Sequence, residues 1–348
     1  MVMINSNFWN NKKVLITGHT GFKGMWLSLI LKSIDASIYG LSYGNHSDIY
    51  KRLGGEKYFD EEYFYDLSNY EESGLESVFS ENKFDLIFHL AAQSLVPTAV
   101  KYPLETLNTN IFGTYQVLNF SNMFETTNSI VVSTTDKVYR DPSEYNNELS
   151  PLGGHEFYST SKVAQEMVIE AFKNLTEKGD LNISTVRSGN VLGGGDGAKG
   201  RLLTDLVKAL KNKEDIILRN PNSIRPWQDI MDSLYGYLLV AEENYSSKKG
   251  DIFNLNSEIN NEITVKEIAQ KMIDYWKSEI RIVESKGNDF YESSELRLDS
   301  SKAKNLLAWN DSVSIDQIIE KIVEWEKAED EKSSELISFN QINNYFQE

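Results

Sequence analysis

The chain has 348 residues and a formal net charge of −17, which opposes attraction to nucleic-acid phosphates and to anionic membrane surfaces, so neither nucleic acid nor membrane is expected as a partner. There is no cysteine, which excludes disulfides, thiolate chemistry and Cys-ligated zinc. Four scattered histidines (His19, His46, His89, His155) lack metal-ligand spacing, so no metal is expected. Residues 1–13 lack an apolar signal core, and no later run approaches the roughly 18 apolar residues of a membrane span. The expected location is therefore cytoplasmic.

Lys13-Val14-Leu15-Ile16-Thr17 is a β-branched run leading directly into Gly18-His19-Thr20-Gly21-Phe22-Lys23-Gly24, after which Met25 to Leu31 reads as a buried helix. Strand, glycine loop and helix in that order suit a dinucleotide pyrophosphate, because glycines permit close backbone approach and the helix N-terminus carries partial positive charge. Gly18, Thr20, Gly21, Phe22, Lys23 and Gly24 are therefore candidate cofactor residues.

Strand-like segments continue at Ser37 to Ser42, Tyr63 to Asp66 and Phe84 to Leu90. Small residues after the last of these, Ala91-Ala92-Gln93, would let a cofactor lie flat against the backbone. Asp66-Leu67 offers a carboxylate to an adenine amino group, or equally a helix N-cap. Asn110, inside a helical stretch, can hold neighbouring strands or bridge through water to a catalytic lysine.

The apolar run Ile130-Val131-Val132 ends in Ser133-Thr134-Thr135-Asp136-Lys137. In an open parallel sheet ligands bind outside the carboxyl ends of the strands, so hydroxyl, carboxylate and amine at that point face a site. Tyr158 and Lys162 follow at a spacing of one helical turn, which sets phenol and ammonium on one face. The ammonium is then expected to lower the phenol pKa. From about Val191 the strand and helix alternation loosens into glycine-rich loops that read as a smaller lid. Arg187, Arg201, Arg219 and Arg225 are candidate phosphate ligands there, since guanidinium suits bidentate phosphate recognition. Tyr235, Tyr237 and Trp276 read as core aromatics, and residues 329–348 as a polar tail.

With Tyr158 and Lys162 in place, the chain resembles the extended short-chain dehydrogenase/reductase family of nucleotide-sugar enzymes, from Lys12 to Trp325. In that family a Thr-Asp-Glu or similar triplet after the fifth strand marks 4,6-dehydratases. Here it reads Thr135-Asp136-Lys137. Lysine in third place is similar to the dehydratases of CDP-glucose, as are the glycine loop, Arg187-Ser-Gly-Asn190 and Arg219-Asn220-Pro … Arg225-Pro-Trp-Gln228.

The resemblance implies an α/β fold, a Rossmann-type doubly wound parallel sheet over residues 1–190, with a smaller α/β substrate-binding lid over 191–328 from which about 226–256 returns to the first domain. It implies NAD as cofactor, a nucleotide sugar as substrate and a homodimer through helices around Pro103 to Phe124 and Phe157 to Lys173. Tyr158 with Lys162 would take the proton of the sugar 4-hydroxyl, and Lys137 the C5 proton. Asp136 would protonate the departing C6 hydroxyl while Thr135 orients the 4-hydroxyl. Asn190 and Arg225 would hold phosphate and Arg219-Asn220 the base.

Two departures stand out. The second strand ends Gly40-Leu41-Ser42-Tyr43-Gly44-Asn45-His46, with no carboxylate for the adenosine ribose before Asp48, which leaves NADP open. The family's Gly-Gly-Gly-Asp-Trp is here Gly193 to Gly197, without the aromatic, which leaves the base and sugar open. A dehydratase of another sugar nucleotide, or an epimerase or reductase sharing the oxidation step, is the alternative; Asp136-Lys137 sets the epimerase or reductase apart, because these need no acid at C6 and no base at C5, whereas only the base-contacting loop separates one dehydratase from another.

Overall fold

The computed structural model describes residues 2–346, excepting 45, 70–73, 128, 176–180, 199, 261 and 286–295. The strands are β1 (Lys13–Thr17), β2 (Ser37–Ser42), β3 (Glu61–Phe64), β4 (Leu86–His89), β5 (Ser129–Ser133), β6 (Asn182–Ser188), β7 (Asn190–Leu192), β8 (Ile216–Leu218), β9 (Trp227–Asp229), β10 (Ile252–Leu255) and β11 (Ile282–Glu284). Seven of them form one parallel sheet in the order β10-β6-β5-β4-β1-β2-β3. The order reverses between β1 and β4, and a crevice opens at the carboxyl ends of adjacent strands where it does so. The fold is the Rossmann-type α/β sheet that the motifs imply.

The inner strands are short, apolar and buried on both faces, as a parallel sheet demands: Val14, Leu15 and Ile16 of β1 and Ile130, Val131 and Val132 of β5 have no exposed surface, whereas edge strand β3 has no buried residue. Helices α1 (Phe22–Ser33) and α5 (Ile230–Ser247) cover one face through Trp26, Leu29, Leu234 and Leu238. Helices α2 (Gly113–Met123) and α3 (Phe157–Leu175) cover the other, where Val117, Leu118 and Ile169 meet Leu15 and Ile87. Helix α5 and β10 carry the chain back from the lid to this sheet.

The lid has its own core. Helices α4 (Leu202–Asn212), α6 (Val265–Trp276) and α7 (Ile315–Glu326) bury Leu206, Leu210, Ile268, Met272, Ile318 and Ile322 against the β8–β11 pair. The β7–β9 pair links sheet and lid, setting Asn190 beside Trp227.

The polar tail is a correction. Residues Glu331–Tyr345 form helix α8, capped by Asp330, which accepts from Ser333 N. Its apolar content is low, so the sequence pattern hides that it packs through hydrogen bonds. Trp325 Nε1 donates to Ser338 Oγ at 2.9 Å, and the Tyr345 hydroxyl donates to buried Asp232 at 2.6 Å. The Arg52 guanidinium ties Ser334 Oγ to the carbonyls of Trp325 and Ala328. Ile342 is buried in the main core. Truncation after Ala328 is expected to cost roughly 2 to 4 kcal/mol in urea unfolding, from lost burial, an unpaired Trp325 indole and the lost Tyr345 bond to Asp232. Unchanged stability would show the segment to be a passive appendage.

Candidate active site

The glycine loop is shaped by a close approach. Gly18 has φ +73°, and a Cβ there would stand 2.8 Å from Ala91 N, so β1 and β4 meet almost backbone to backbone. A Cβ on Gly24 would stand 2.3 Å from Gly18 O, so the first turn of α1 closes directly over the loop. A helix N-terminus is thereby left facing a cavity. Gly18, Thr20, Gly21, Phe22, Lys23, Gly24, Asp66, Leu67, Ala91, Ala92 and Gln93 all line it. Asp66 Oδ1 also accepts from Ser68 N at 2.9 Å; it makes an Asx turn here and not a helix N-cap.

Thr135, Asp136, Lys137, Tyr158 and Lys162 line the same cavity, as do Asn190, Arg201, Arg219, Asn220 and Arg225. The strand end brings the first three there because β5 stops at Ser133 and a single turn over Asp136–Val138 follows. Thr135 Oγ1 caps that turn, accepting from Lys137 N at 3.3 Å, and donates to Asp136 Oδ1 at 2.9 Å. The other carboxyl oxygen, Oδ2, is buried without a partner among the described residues. Burial pushes the Asp136 carboxyl up from the ordinary range, against the opposing pull of Lys137, Thr135 and Arg225. Lys137 is half-buried.

Tyr158 and Lys162 occupy one face of the first turns of α3, both buried. Burial pushes the phenol up to about 12, with Thr135 pulling the other way and Asp136 adding to the rise. Burial pushes Lys162 down to about 7, opposed by Glu166 and reinforced by Lys23. Desolvation, and not the expected lowering by the lysine, sets the direction of the phenol in this structure, while burial moves the amine toward its neutral form.

Two assignments change. Arg187 is no phosphate ligand: it is buried, pairs with Glu166 through Nε at 2.9 Å and Nη2 at 3.0 Å, and donates to the Tyr139 hydroxyl at 3.0 Å. Its position on a central strand, pointing under the sheet and not off its end, removes it from the cavity. Asn110 likewise lies behind the site, in a π-helical turn (Asn108–Phe112). Its side chain accepts from Gln93 N at 2.8 Å and donates to Gln93 O and Ser161 Oγ. It therefore fixes the β4 loop against α3 and is not among the residues lining the cavity, which fits the strand-holding role of its two expected ones.

Other residues carried no sequence signal for the site. Tyr237 is buried in the main core, as its reading as a core aromatic expects, and from there sets its hydroxyl 2.6 Å from Ser133 Oγ, while Lys23 Nζ donates to Ser188 Oγ at 2.9 Å and to Tyr237 at 3.5 Å. These contacts span more than a hundred residues and no local spacing announces them. Ser42 and Tyr43 line the end of the cavity where a ribose carboxylate was missing, whereas Asp48 opens a short helix outside it. Gly193 packs on Ile230 and Phe22 and Gly194 and Gly195 on Trp325, with Gly194 O accepting from Trp26 Nε1 at 2.9 Å. Asp196 lines the cavity and pairs with Arg201 at 3.0 Å. Among the described residues no His, Asp and Glu cluster could hold a metal ion, and no helix is long and apolar enough to cross a membrane.

A nucleotide-binding sheet with a Tyr and Lys pair at the end of β5 defines an enzyme of the short-chain dehydrogenase/reductase type. The family model for GDP-mannose 4,6 dehydratase matches residues 15–322, and the chain belongs to that family. It is 36% identical over 341 residues to the CDP-glucose 4,6-dehydratase of Salmonella typhimurium strain LT2, covering 94% of this chain and 93% of the relative. It is 27% identical to the UDP-glucose 4-epimerase of Rickettsia rickettsii, over 85% of this chain and 81% of that one. Among solved structures, an epimerase of Methanothermobacter thermautotrophicus superposes with TM-score 0.81 at 22% identity, over 95% and 96% of the two chains. The UDP-glucuronic acid 4-epimerase of Bacillus cereus, in complex with UDP-glucuronic acid and NAD, superposes with TM-score 0.78 at 19% identity, over 90% and 99%. The protein is accordingly an enzyme, and a lyase by its relationship to the dehydratase.

Proposed function

We propose that the protein is a cytoplasmic CDP-glucose 4,6-dehydratase with NAD as resident cofactor, forming CDP-4-keto-6-deoxyglucose and water. The observation that carries this is Asp136: a cavity-lining residue whose buried carboxyl has one oxygen anchored by Thr135 and the other without a partner among the described residues, raised by burial toward its neutral form. A neutral acid beside Lys137 supplies what elimination needs and what epimerisation does not use.

The cavity, about 1320 Å³, exceeds the roughly 300–1,000 Å³ of a single-ligand pocket and leaves room for a dinucleotide beside a sugar nucleotide. The Gly18 and Gly24 contacts would be filled by any side chain, which fits a pyrophosphate laid along that backbone. Gly18 to Gly24, Ala91 and Ala92 would hold the pyrophosphate and nicotinamide side, with Ser42, Tyr43 and Asp66 at the adenosine end. Asp66 and the hydroxyls favour NAD there, because a 2′-phosphate would meet a carboxylate. When bound, the dinucleotide supplies a hydride acceptor for C4 and the donor that returns it to C6.

The chain's own residues handle the protons. Tyr158 takes the proton of the 4-hydroxyl as its own passes on to Lys162, a base near pH 7. The 4-ketone acidifies C5, and Lys137 removes that proton. Asp136 gives its proton to the C6 hydroxyl, which leaves as water; Lys137 returns its proton to C5 when C6 is reduced, and the proton taken up by Tyr158 and Lys162 replaces the one Asp136 has given. Arg201, Arg219 and Arg225 line the lid side, where guanidiniums match the diphosphate, and Asn220 lies beside them for the base. The 36% identity to a CDP-glucose enzyme supports the choice of sugar nucleotide.

Incubation with CDP-glucose and NAD⁺ should give a 4-keto product, read by its alkaline absorbance, while UDP-glucose stays unconverted. Conversion of UDP-, GDP- or dTDP-glucose in place of CDP-glucose would move the substrate assignment, and formation of a C4 epimer without water loss would remove the dehydratase.

A second copy of the chain is the proposed partner. Leu104, Phe112, Tyr115, Met123, Met167 and Leu175 are exposed apolar residues on the helical segment from Pro103 and on α2 and α3, with Met167 67% and Leu175 80% exposed. Light scattering should report twice the 39.7 kDa chain mass, and Met167→Glu should halve it. A wild-type mass of one chain would overturn the dimer.

A further inference from the structure

The Lys162 amine ends a buried run of hydrogen bonds that leads away from the cavity into the sheet. It donates to Gln165 Oε1 at 2.7 Å and to Ser133 O at 3.0 Å. Gln165 Nε2 donates to Thr114 Oγ1 at 2.7 Å, and Thr114 Oγ1 donates to Asn110 O at 2.8 Å. His89 Nε2 lies 2.9 Å from the same Thr114 hydroxyl, and His89 Nδ1 lies 2.7 Å from Thr17 Oγ1. Thr17 Oγ1 accepts from Ala91 N at 3.2 Å, in the loop that lines the cofactor side. Thr17, His89, Thr114, Lys162 and Gln165 are all buried, so water does not compete for these links.

The backbone groups along the run fix its polarity. Thr114 gives its one proton to the Asn110 carbonyl, so toward His89 Nε2 it can only accept, and His89 Nδ1 is left to accept from the Thr17 hydroxyl, which itself accepts from Ala91 N–H. His89 is then the Nε2–H tautomer, and burial, with the Lys162 charge adding, pushes its pKa down to about 3 and keeps it neutral. Thr114 gives its proton to the Asn110 carbonyl and accepts from His89, so toward Gln165 it can only accept. That leaves one orientation for the Gln165 amide, nitrogen toward Thr114 and oxygen toward Lys162. A flipped amide would set donor against donor at the ammonium and acceptor against acceptor at the threonine.

We infer that Gln165, locked by Thr114 and His89, is a positioning residue that holds the Lys162 amine in one place through both of its protonation states. A neutral amine has two N–H groups and one lone pair; Ser133 O and Gln165 Oε1 take the two N–H groups, and the lone pair is left for the cavity. The ammonium keeps the same two bonds and places its third proton where the lone pair was. A proton therefore comes and goes without the side chain moving.

No neighbour duplicates that acceptor. Glu166, on the same helix, is committed to Arg187, and Lys23 from α1 is a cation held by Ser188. Tyr158 from α3 and His89 from β4 face the amine as a phenol and a neutral ring, and Tyr237 from α5 reaches only Ser133 Oγ. The catalytic consequence rests on the proposed role of Lys162 in taking up the substrate proton; the positioning itself does not.

The test uses protein labelled with ¹³C at lysine Cε, without substrate, with the Lys162 signal identified by its loss in Lys162→Met. Gln165→Glu, nearly isosteric, should raise the Lys162 midpoint by at least about one pH unit, as a carboxylate at hydrogen-bond distance does. It should move the acid limb of kcat the same way. Thr114→Val, which frees the amide to turn, should lower kcat about tenfold with little change in KM, while Thr114→Ser keeps the hydroxyl and restores it. An unmoved midpoint in a Gln165→Glu variant that melts like wild type would overturn the inference, as would equal kcat in the two Thr114 variants. A moved midpoint in a protein that makes no 4-keto product would keep the positioning and discard the dehydratase.

Discussion

Desolvation at the carboxyl edge of one strand is the constraint on which the site depends. Asp136, Tyr158 and Lys162 are all buried within reach of the end of β5, and burial is the largest influence on each of them. It favours the neutral form in every case, so carboxyl and phenol go up and amine goes down. Asp136 and Lys162, which are ions in water near neutral pH, are shifted toward their neutral forms, and the Tyr158 phenol is held protonated. The surrounding fold supplies the hydrogen bonds that make such burial tolerable: Thr135 for Asp136, and Ser133 O and Gln165 for Lys162.

The same edge explains why the lid exists as a separate core. A parallel sheet buries both faces under helices, which leaves only its ends for a ligand. The β7–β9 pair brings Asn190 and Trp227 over that end, and the lid helices pack among themselves and not on the sheet. Arginines on lid loops then face the catalytic strand across one cavity. Helix α8 braces this arrangement from outside, joining α7 through Trp325 and α5 through Asp232.

What was legible in the sequence was what is local. Gly18 to Gly24 follows a β-branched run, Thr135-Asp136-Lys137 ends another, and Tyr158 and Lys162 sit one helical turn apart; each fixes its own geometry within a few residues. The arginines show the limit. Arg187, Arg201, Arg219 and Arg225 are equal as sequence, but Arg187 stands on a central strand and meets Glu166 beneath it, while the other three stand on lid segments. Asn110 and Tyr237 needed the whole fold, since their partners lie on distant elements. Helix α8 escaped because its buried face is made of serines and a glutamine, whose fit depends on partners in α7 and on Arg52.

The account stands most directly on Asp136 as a neutral acid aimed at the departing hydroxyl. The decisive measurement is single-turnover conversion of CDP-glucose in deuterated water by Asp136→Asn, following nicotinamide absorbance, C5 exchange and product together. Oxidation and C5 exchange should persist while 4-keto-6-deoxy product falls by roughly 10² to 10⁴-fold. Product formed within threefold of the wild-type rate would contradict the account.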